Sequence, residues 1–264
     1  MRVAIRDWLL SIPFEGAFGT AQELGFDGLE VCFGENYREH PLMHEGGIEG
    51  AQALTDLTGC PIATFEAHAL IGRSFTNPDE GLRSEGIYFV NRLCRLAPQF
   101  DVPVIVLTCF GEADIAREDV DDPLLIRGLR RVGEVAGKYR VALALETTLP
   151  GEDACRLLDA VDTDSVGICY DVGNAVRDGH DGPRELRELG DRVVCAHMKD
   201  STKGTGDHDL GEGGVDFDAV ADALAAVGYD GWLVLDTPPS IDAPASARKN
   251  LSFTRRLADR ISST

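Results

Sequence analysis

The chain has 264 residues, 44% of them hydrophobic, and a formal charge of −20. No Pro-, Ser- or Gly-rich linker divides residues 1–264, so the composition suits one large α/β domain with a sizeable core. The acid excess excludes nucleic acid and anionic membrane as partners, because both demand a basic surface.

No window approaches the about 18 consecutive apolar residues of a membrane span. The charged start MRVAIRDWLL lacks the apolar stretch of a secretory signal. Seven cysteines (32, 60, 94, 109, 155, 169, 195) show no CxxC or zinc-ribbon spacing, and an odd number makes a poor disulfide framework. A reduced chain in the cytoplasm is the expectation, free to form a homo-oligomer.

In chain order, short apolar runs at 3–9, 28–32, 62–67, 103–109, 141–146, 166–171, 193–198 and 232–236 read as strands. Helical periodicity fills the gaps. Over residues 79–97, Ile87, Val90, Leu93, Cys94 and Ala97 share a face. Over 217–227, Phe217, Val220, Leu224 and Val227 do the same, with Asp216 as N-cap and Gly228 as the glycine after the helix. A last helix runs from about 243 to 260. The segment Gly25-Phe26-Asp27-Gly28-Leu29-Glu30-Val31 recurs as Gly228-Tyr229-Asp230-Gly231-Trp232-Leu233-Val234, a repeated helix-to-strand joint. Eight strand–helix units in 264 residues give about 33 residues each, the size of an ordinary (β/α)8 TIM barrel. No GxGxxG follows the first strand, so an open doubly wound sheet fits less well.

A barrel places its site at the C-terminal ends of its strands. Those ends carry His68 just after the third strand, then Glu146, Asp171, His197 and Asp236 on the fifth to eighth. Alternation puts Ala144 and Ala142 on the face of Glu146, and Cys169 and Gly167 on the face of Asp171, so small residues lie beneath each group. Three carboxylates and an imidazole in an apolar barrel must be protonated, paired or bound to a cation. A lysine can balance them in part; one divalent metal ion does so more fully. The oxygen-rich set suits Mn²⁺ first, and also Mg²⁺, Co²⁺, Fe²⁺ or Zn²⁺. Four of the 25 basic residues are lysine (138, 199, 203, 249). Lys199 shares the face of His197 and points into the mouth, where it can steady an oxyanion. Asp200 is expected to orient the imidazole or this lysine. The glycine-bearing run 203–208 lacks a P-loop ending and reads as a lid.

ALETTLPGE, CYDVGNA, AHMKD, LGEGGVDFDAV and GYDGWLVLD, with LGFDGLEV near the start and SARKNLSFTRRL near the end, together resemble the xylose isomerase-like TIM-barrel superfamily of sugar isomerases and epimerases. The likeness spans essentially the whole chain. It implies that Glu146, Asp171, His197 and Asp236 hold the metal. It also implies that Glu152, six residues past Glu146, contacts the sugar, that Asn174 takes a place often held by histidine, and that Lys203 takes one often held by arginine. The implied partner is a small-molecule sugar or keto-sugar.

In the implied reaction the metal binds the carbonyl and neighbouring hydroxyl of an acyclic keto-sugar and holds the enediolate. Glu146 removes the α-proton, and Asp236 returns one from the other face. One departure stands out: the two-acid epimerases usually have glutamate where this chain has Asp236, a reach shorter by about 1.5 Å. His68 or Lys199 is then the alternative proton source. The closest rival is a metal-dependent lyase that dehydrates a keto-cyclitol or dehydroshikimate-type substrate. A catalytically silent barrel subunit is the non-enzymatic reading. A multi-metal phosphoesterase like the AP endonucleases is disfavoured, since Asn174 and Cys109 stand where histidines are wanted.

Overall fold

The computed structural model of the protein describes residues 1–204 and 206–263. Eight parallel strands close into a barrel: β1 (Arg2–Arg6), β2 (Gly28–Cys32), β3 (Ile62–Ala67), β4 (Val104–Cys109), β5 (Ala142–Thr147), β6 (Val166–Asp171), β7 (Val193–Met198) and, after a short antiparallel ladder of β8 (Asp200–Ser201) with β9 (Asp207–His208), β10 (Trp232–Leu235). The order around the barrel is β1-β10-β7-β6-β5-β4-β3-β2. All eight expected strands are present. The first is shorter than expected, because residues 7–10 leave the sheet as a 3-10 turn. That turn starts where Asp7 accepts the backbone N–H of Trp8 at 2.8 Å, a local bond that competes with the ladder.

Helices α1 (Phe14–Leu24), α2 (Glu45–Thr58), α3 (Glu80–Leu96), α4 (Pro123–Tyr139), α5 (Gly151–Val161), α6 (Val172–Asp178), α7 (Gly182–Leu189), α8 (Phe217–Ala226) and α9 (Ala243–Ser262) surround the strands. Capping follows the sequence signals. Asp216 accepts Ala219 N–H at 3.0 Å at the start of α8, and Gly228 takes φ +69° after its end. Gly25, the matching glycine before β2, takes φ +93°.

Two apolar layers follow from the period of two. Ile5, Leu29, Phe65, Leu107, Leu145 and Leu233 point outward under the helices. The interior plug is built from Ala4, Ala63, Val104, Val106, Ala144, Cys169, Cys195, Trp232 and Val234. Trp232 closes the bottom, with the Arg2 guanidinium 4.1 Å from its ring centre. A side chain at Gly28 would meet that indole at 3.1 Å and the Pro61 carbonyl oxygen at 3.0 Å, so the close approach favours glycine. All seven cysteines are free thiols; five are buried as small apolar groups. Among the described residues no helix is long and apolar enough to cross a membrane.

Candidate active site and metal centre

Above the plug lies a polar layer to which every barrel strand contributes. Arg6, Glu30, Glu66, Thr108, Glu146, Asp171 and His197 come from β1 to β7 in order, and Asp236 directly follows β10. All are buried, none more than 6% exposed. Strand alternation brings them together, since each inward-facing position follows an inward residue two places earlier.

Glu146, Asp171, His197 and Asp236 each offer a ligand atom lying within 4.8 Å of the others'. Both Glu146 carboxylate oxygens, Asp171 Oδ2 and His197 Nδ1 are buried without a hydrogen-bond partner. Each such atom costs about 1–3 kcal/mol when left unsatisfied, so four on three clustered residues is an expensive arrangement for a protein alone. It is a fitting one for a cation. The second Asp171 oxygen is occupied: Oδ1 caps α6 by accepting Gly173 N–H at 2.9 Å and Asn174 N–H at 2.8 Å. That leaves Oδ2 aimed inward. The donor set, three carboxylates and an imidazole nitrogen, suits one divalent ion.

Two built-in cations share the layer. Arg6 forms an ion pair with Asp236, Nη1 lying 2.6 Å from Oδ1, bonds Glu66 through Nη2, and has Nε 3.5 Å from Glu30 Oε1. Lys199 Nζ is 2.9 Å from Asp236 Oδ2 and 3.6 Å from both Asp171 and Asp207. Burial alone raises the Asp236 carboxyl, but Arg6 and Lys199 outweigh it and hold the group at about 2. Asp171 goes the other way. Burial lifts it to about 6, with Lys199 opposing and the Asp236 and Glu146 charges adding to the rise.

Over this floor opens a cavity of about 690 Å³, within the usual range for small-molecule sites. Arg6, Asp7, His68, Lys199, Asp207 and Asp236 give it polar groups, while Trp8, Ile12, Phe14, Phe110, Pro238 and Pro239 form apolar walls. His68 has Nδ1 3.3 Å from Glu66 Oε1, and this bond raises its pKa against the opposing effect of burial. Asp7 is pushed by burial to about 7, despite accepting backbone N–H groups of Cys32 and Trp8. Cys32, Glu66 and His68 also cluster with metal-competent atoms. Arg6 already neutralises Glu66 there, and burial next to Glu66 raises the Cys32 thiol, which disfavours the thiolate a metal needs.

The expected ligands and His68 and Lys199 therefore converge, whereas Glu152, Asn174 and Lys203 do not reach the cavity. Glu152 is exposed on the first turn of α5. Asn174 is buried in α6, where its Oδ1 accepts from Arg177 at 2.7 Å. Lys203 is exposed and runs over Gly179. Asp200 departs from its expected role. Its buried carboxylate accepts the backbone N–H groups of Gly211 (2.9 Å), Gly213 (2.8 Å) and Val215 (3.1 Å), so it shapes the following loop and orients neither His197 nor Lys199. In the expected lid run, Asp207 and His208 pair with β8, while Thr205 lies outside the described residues. Arg6, Asp7, Glu30, Glu66 and Thr108 escaped the sequence reading. For Arg6, Glu30, Glu66 and Thr108 the signal was a charged or hydroxyl residue two places after a small or apolar inward residue in RVAIR, GLEVC, ATFEA and VIVLTC; Asp7, after the outward Ile5, carried none.

Known proteins share this fold. Residues 18–257 match the model of the xylose isomerase-like TIM barrel family. The inosose dehydratase of Geobacillus thermodenitrificans is 29% identical over 149 residues, which is 46% of this chain and 49% of that enzyme, so this match spans about half of the relative's length. The 2-epi-5-epi-valiolone 7-phosphate 2-epimerase of an Actinoplanes species is 26% identical over 224 residues, 81% of this chain and 79% of that one. Among solved structures, the 3-keto-D-glucoside 4-epimerase of E. coli superposes with a TM-score of 0.78 at 20% identity, covering 97% of this chain and 99% of that one. With a closed eight-stranded parallel barrel and a family match over nearly its whole length, the chain belongs to the xylose isomerase-like TIM barrel family.

Proposed function

We propose that the protein is a divalent-metal-dependent epimerase or isomerase of a keto-sugar, acting by proton abstraction next to a carbonyl. The observation that carries this reading is the set of unpartnered buried atoms on Glu146, Asp171 and His197, gathered with Asp236 beneath a cavity at the C-terminal end of the barrel. Epimerases among the relatives support the reaction kind. A divalent ion bound there supplies Lewis acidity at the substrate carbonyl, which makes the adjacent hydrogen removable.

The chain's own groups do the rest. Glu146 is the base, a carboxylate kept free of hydrogen bonds and next to the cavity floor. Lys199 stabilises negative charge on substrate oxygen from the opposite side. Asp236 is held ionised by Arg6 and Lys199, which favours a ligand and anchor over a proton carrier. The return proton then falls to His68 or Asp7 on the cavity wall: the bond to Glu66 raises the His68 pKa, and burial raises Asp7 to about 7.

The same clamp on Asp236 favours one second reading, a dehydratase. Elimination needs one base and an acid at the leaving hydroxyl, with no second carboxylate across the ring, and an inosose dehydratase is among the relatives. Incubating the protein with Mn²⁺ and a panel of ketoses and cyclitol ketones in D₂O tests both. Deuterium next to the carbonyl with retained substrate mass is the epimerase outcome; loss of water to a conjugated, ultraviolet-absorbing ketone is the dehydratase outcome. Glu146→Gln must abolish either, and exchange that persists in that variant overturns the assignment.

A further inference from the structure

His197 sits between two carboxylates that do different things. On one side Nε2 is 3.3 Å from Glu30 Oε2. On the other, Nδ1 is 3.5 Å from Glu146 Oε1, without hydrogen-bond geometry, and has no partner. Glu30 is 167 residues away in sequence and reaches across the barrel interior from β2. Both residues are wholly buried.

An imidazole that binds a metal through one nitrogen carries its proton on the other, and whatever accepts that proton decides which nitrogen faces the ion. We propose that Glu30 is the positioning residue of the site: its carboxylate takes the Nε2–H of His197 and so presents Nδ1 to the cation. The inference rests on the metal-site reading above.

Glu30 is itself fixed. Its Oε2 also accepts the Thr64 hydroxyl at 2.7 Å, and Arg6 Nε stands 3.5 Å from Oε1. The carboxylate therefore cannot swing towards the ion without leaving Thr64 and Arg6. Glu30 also lies outside both groups of residues whose ligand atoms converge with His197, the one with Glu146, Asp171 and Asp236 and the one with Cys169 and Cys195. It holds Nδ1 on the side of Glu146, adds negative charge behind the ligand, and raises the basicity of the nitrogen in front.

The test uses the full chain with Zn²⁺, which is diamagnetic. Protein labelled with ¹⁵N-histidine and loaded with Zn²⁺ is examined by long-range ¹H–¹⁵N correlation, and Zn²⁺ affinity is measured by competition with a chelator for wild type, Glu30→Gln and Glu30→Ala. The expected spectrum has His197 protonated at Nε2 and metal-shifted at Nδ1. Glu30→Ala is expected to lose about 10–100-fold in affinity. Glu30→Gln, whose amide oxygen still accepts the proton, recovers most of it. A merely structural role predicts equal losses in the two variants. A metal shift at Nε2, or affinity in Glu30→Ala within about threefold of wild type, overturns the proposal while leaving the metal site standing. If wild type takes up no Zn²⁺, the metal reading itself fails and the proposal with it. Should Glu30→Ala not fold, the wild-type spectrum and Glu30→Gln still decide.

Discussion

Replacing Arg6 with methionine removes the hub of the polar layer while keeping much of its volume. Arg6 is 5% exposed and faces Asp236, Glu66 and Glu30. Breaking a buried ion pair by deleting one partner costs about 3–5 kcal/mol. The Asp236 carboxyl gives a partial check. It falls from 3.8 to about 2, which at about 1.4 kcal/mol per unit corresponds to about 2 kcal/mol. Because the folded value lies below the unfolded one, this stabilisation is fully present above about pH 4. It is lost as the pH falls through about 2. Arg6→Met, studied metal-free with a chelator present, is therefore expected to melt about 6–20 °C below wild type at pH 7, from about 2–4 °C per kcal/mol for a chain of this size. That gap narrows as the pH is lowered from 4 towards 2. Thermal melts followed by circular dichroism at pH 7, 4 and 2.5 measure both. A variant within about 1 kcal/mol of wild type at pH 7, or a gap unchanged by acid, refutes the electrostatic account.

Asp7 gives the opposite sign. Its folded value of about 7 exceeds the ordinary 3.8, so the native state binds the extra proton between these values and wild-type stability falls as the pH rises through that window. Asp7→Asn, which keeps the acceptor for Trp8 and Cys32, is expected to be more stable than wild type at pH 8 by up to about 4 kcal/mol, and no more stable at pH 4; urea melts at the two pH values check this. Asp200→Ala strands three backbone N–H groups, at about 1–3 kcal/mol for each that stays dry. It is expected to lower the melting temperature and to expose residues 208–215 to limited proteolysis, which mass spectrometry of the fragments locates.

The barrel was legible because eight apolar runs alternate with amphipathic stretches at a nearly constant spacing. The candidate ligands were legible because β5, β6, β7 and β10 lead directly into a carboxylate or histidine at an inward position. The β1–β3 half was not. Arg6, Glu30 and Glu66 lie within or at the end of runs that read as ordinary strands, and one charge inside such a run has a ready explanation as solvated. Only barrel closure puts Arg6 beside Glu66 and Asp236, 60 and 230 positions away in the chain. The charge balance consequently differs from the one expected. Arginine and lysine neutralise part of the acid set, and four of the buried atoms left without a hydrogen-bond partner belong to Glu146, Asp171 and His197 on neighbouring strands. Asp200 was misread for a related reason: its neighbours in sequence face the mouth, but its partners lie 11–15 residues downstream.

The interior plug has a bearing on how such a site can be retuned. Ala144 lies two residues below Glu146, Cys169 two below Asp171, and Cys195 two below His197, each among the smallest side chains the position could hold. They act as shims. Adding a methyl or two to any of them raises the donor above it by a fraction of an ångström, at about 1–3 kcal/mol of overpacking. On the metal reading proposed above, a library confined to Ala144, Cys169 and Cys195 is expected to adjust ion preference and substrate height without altering a single donor.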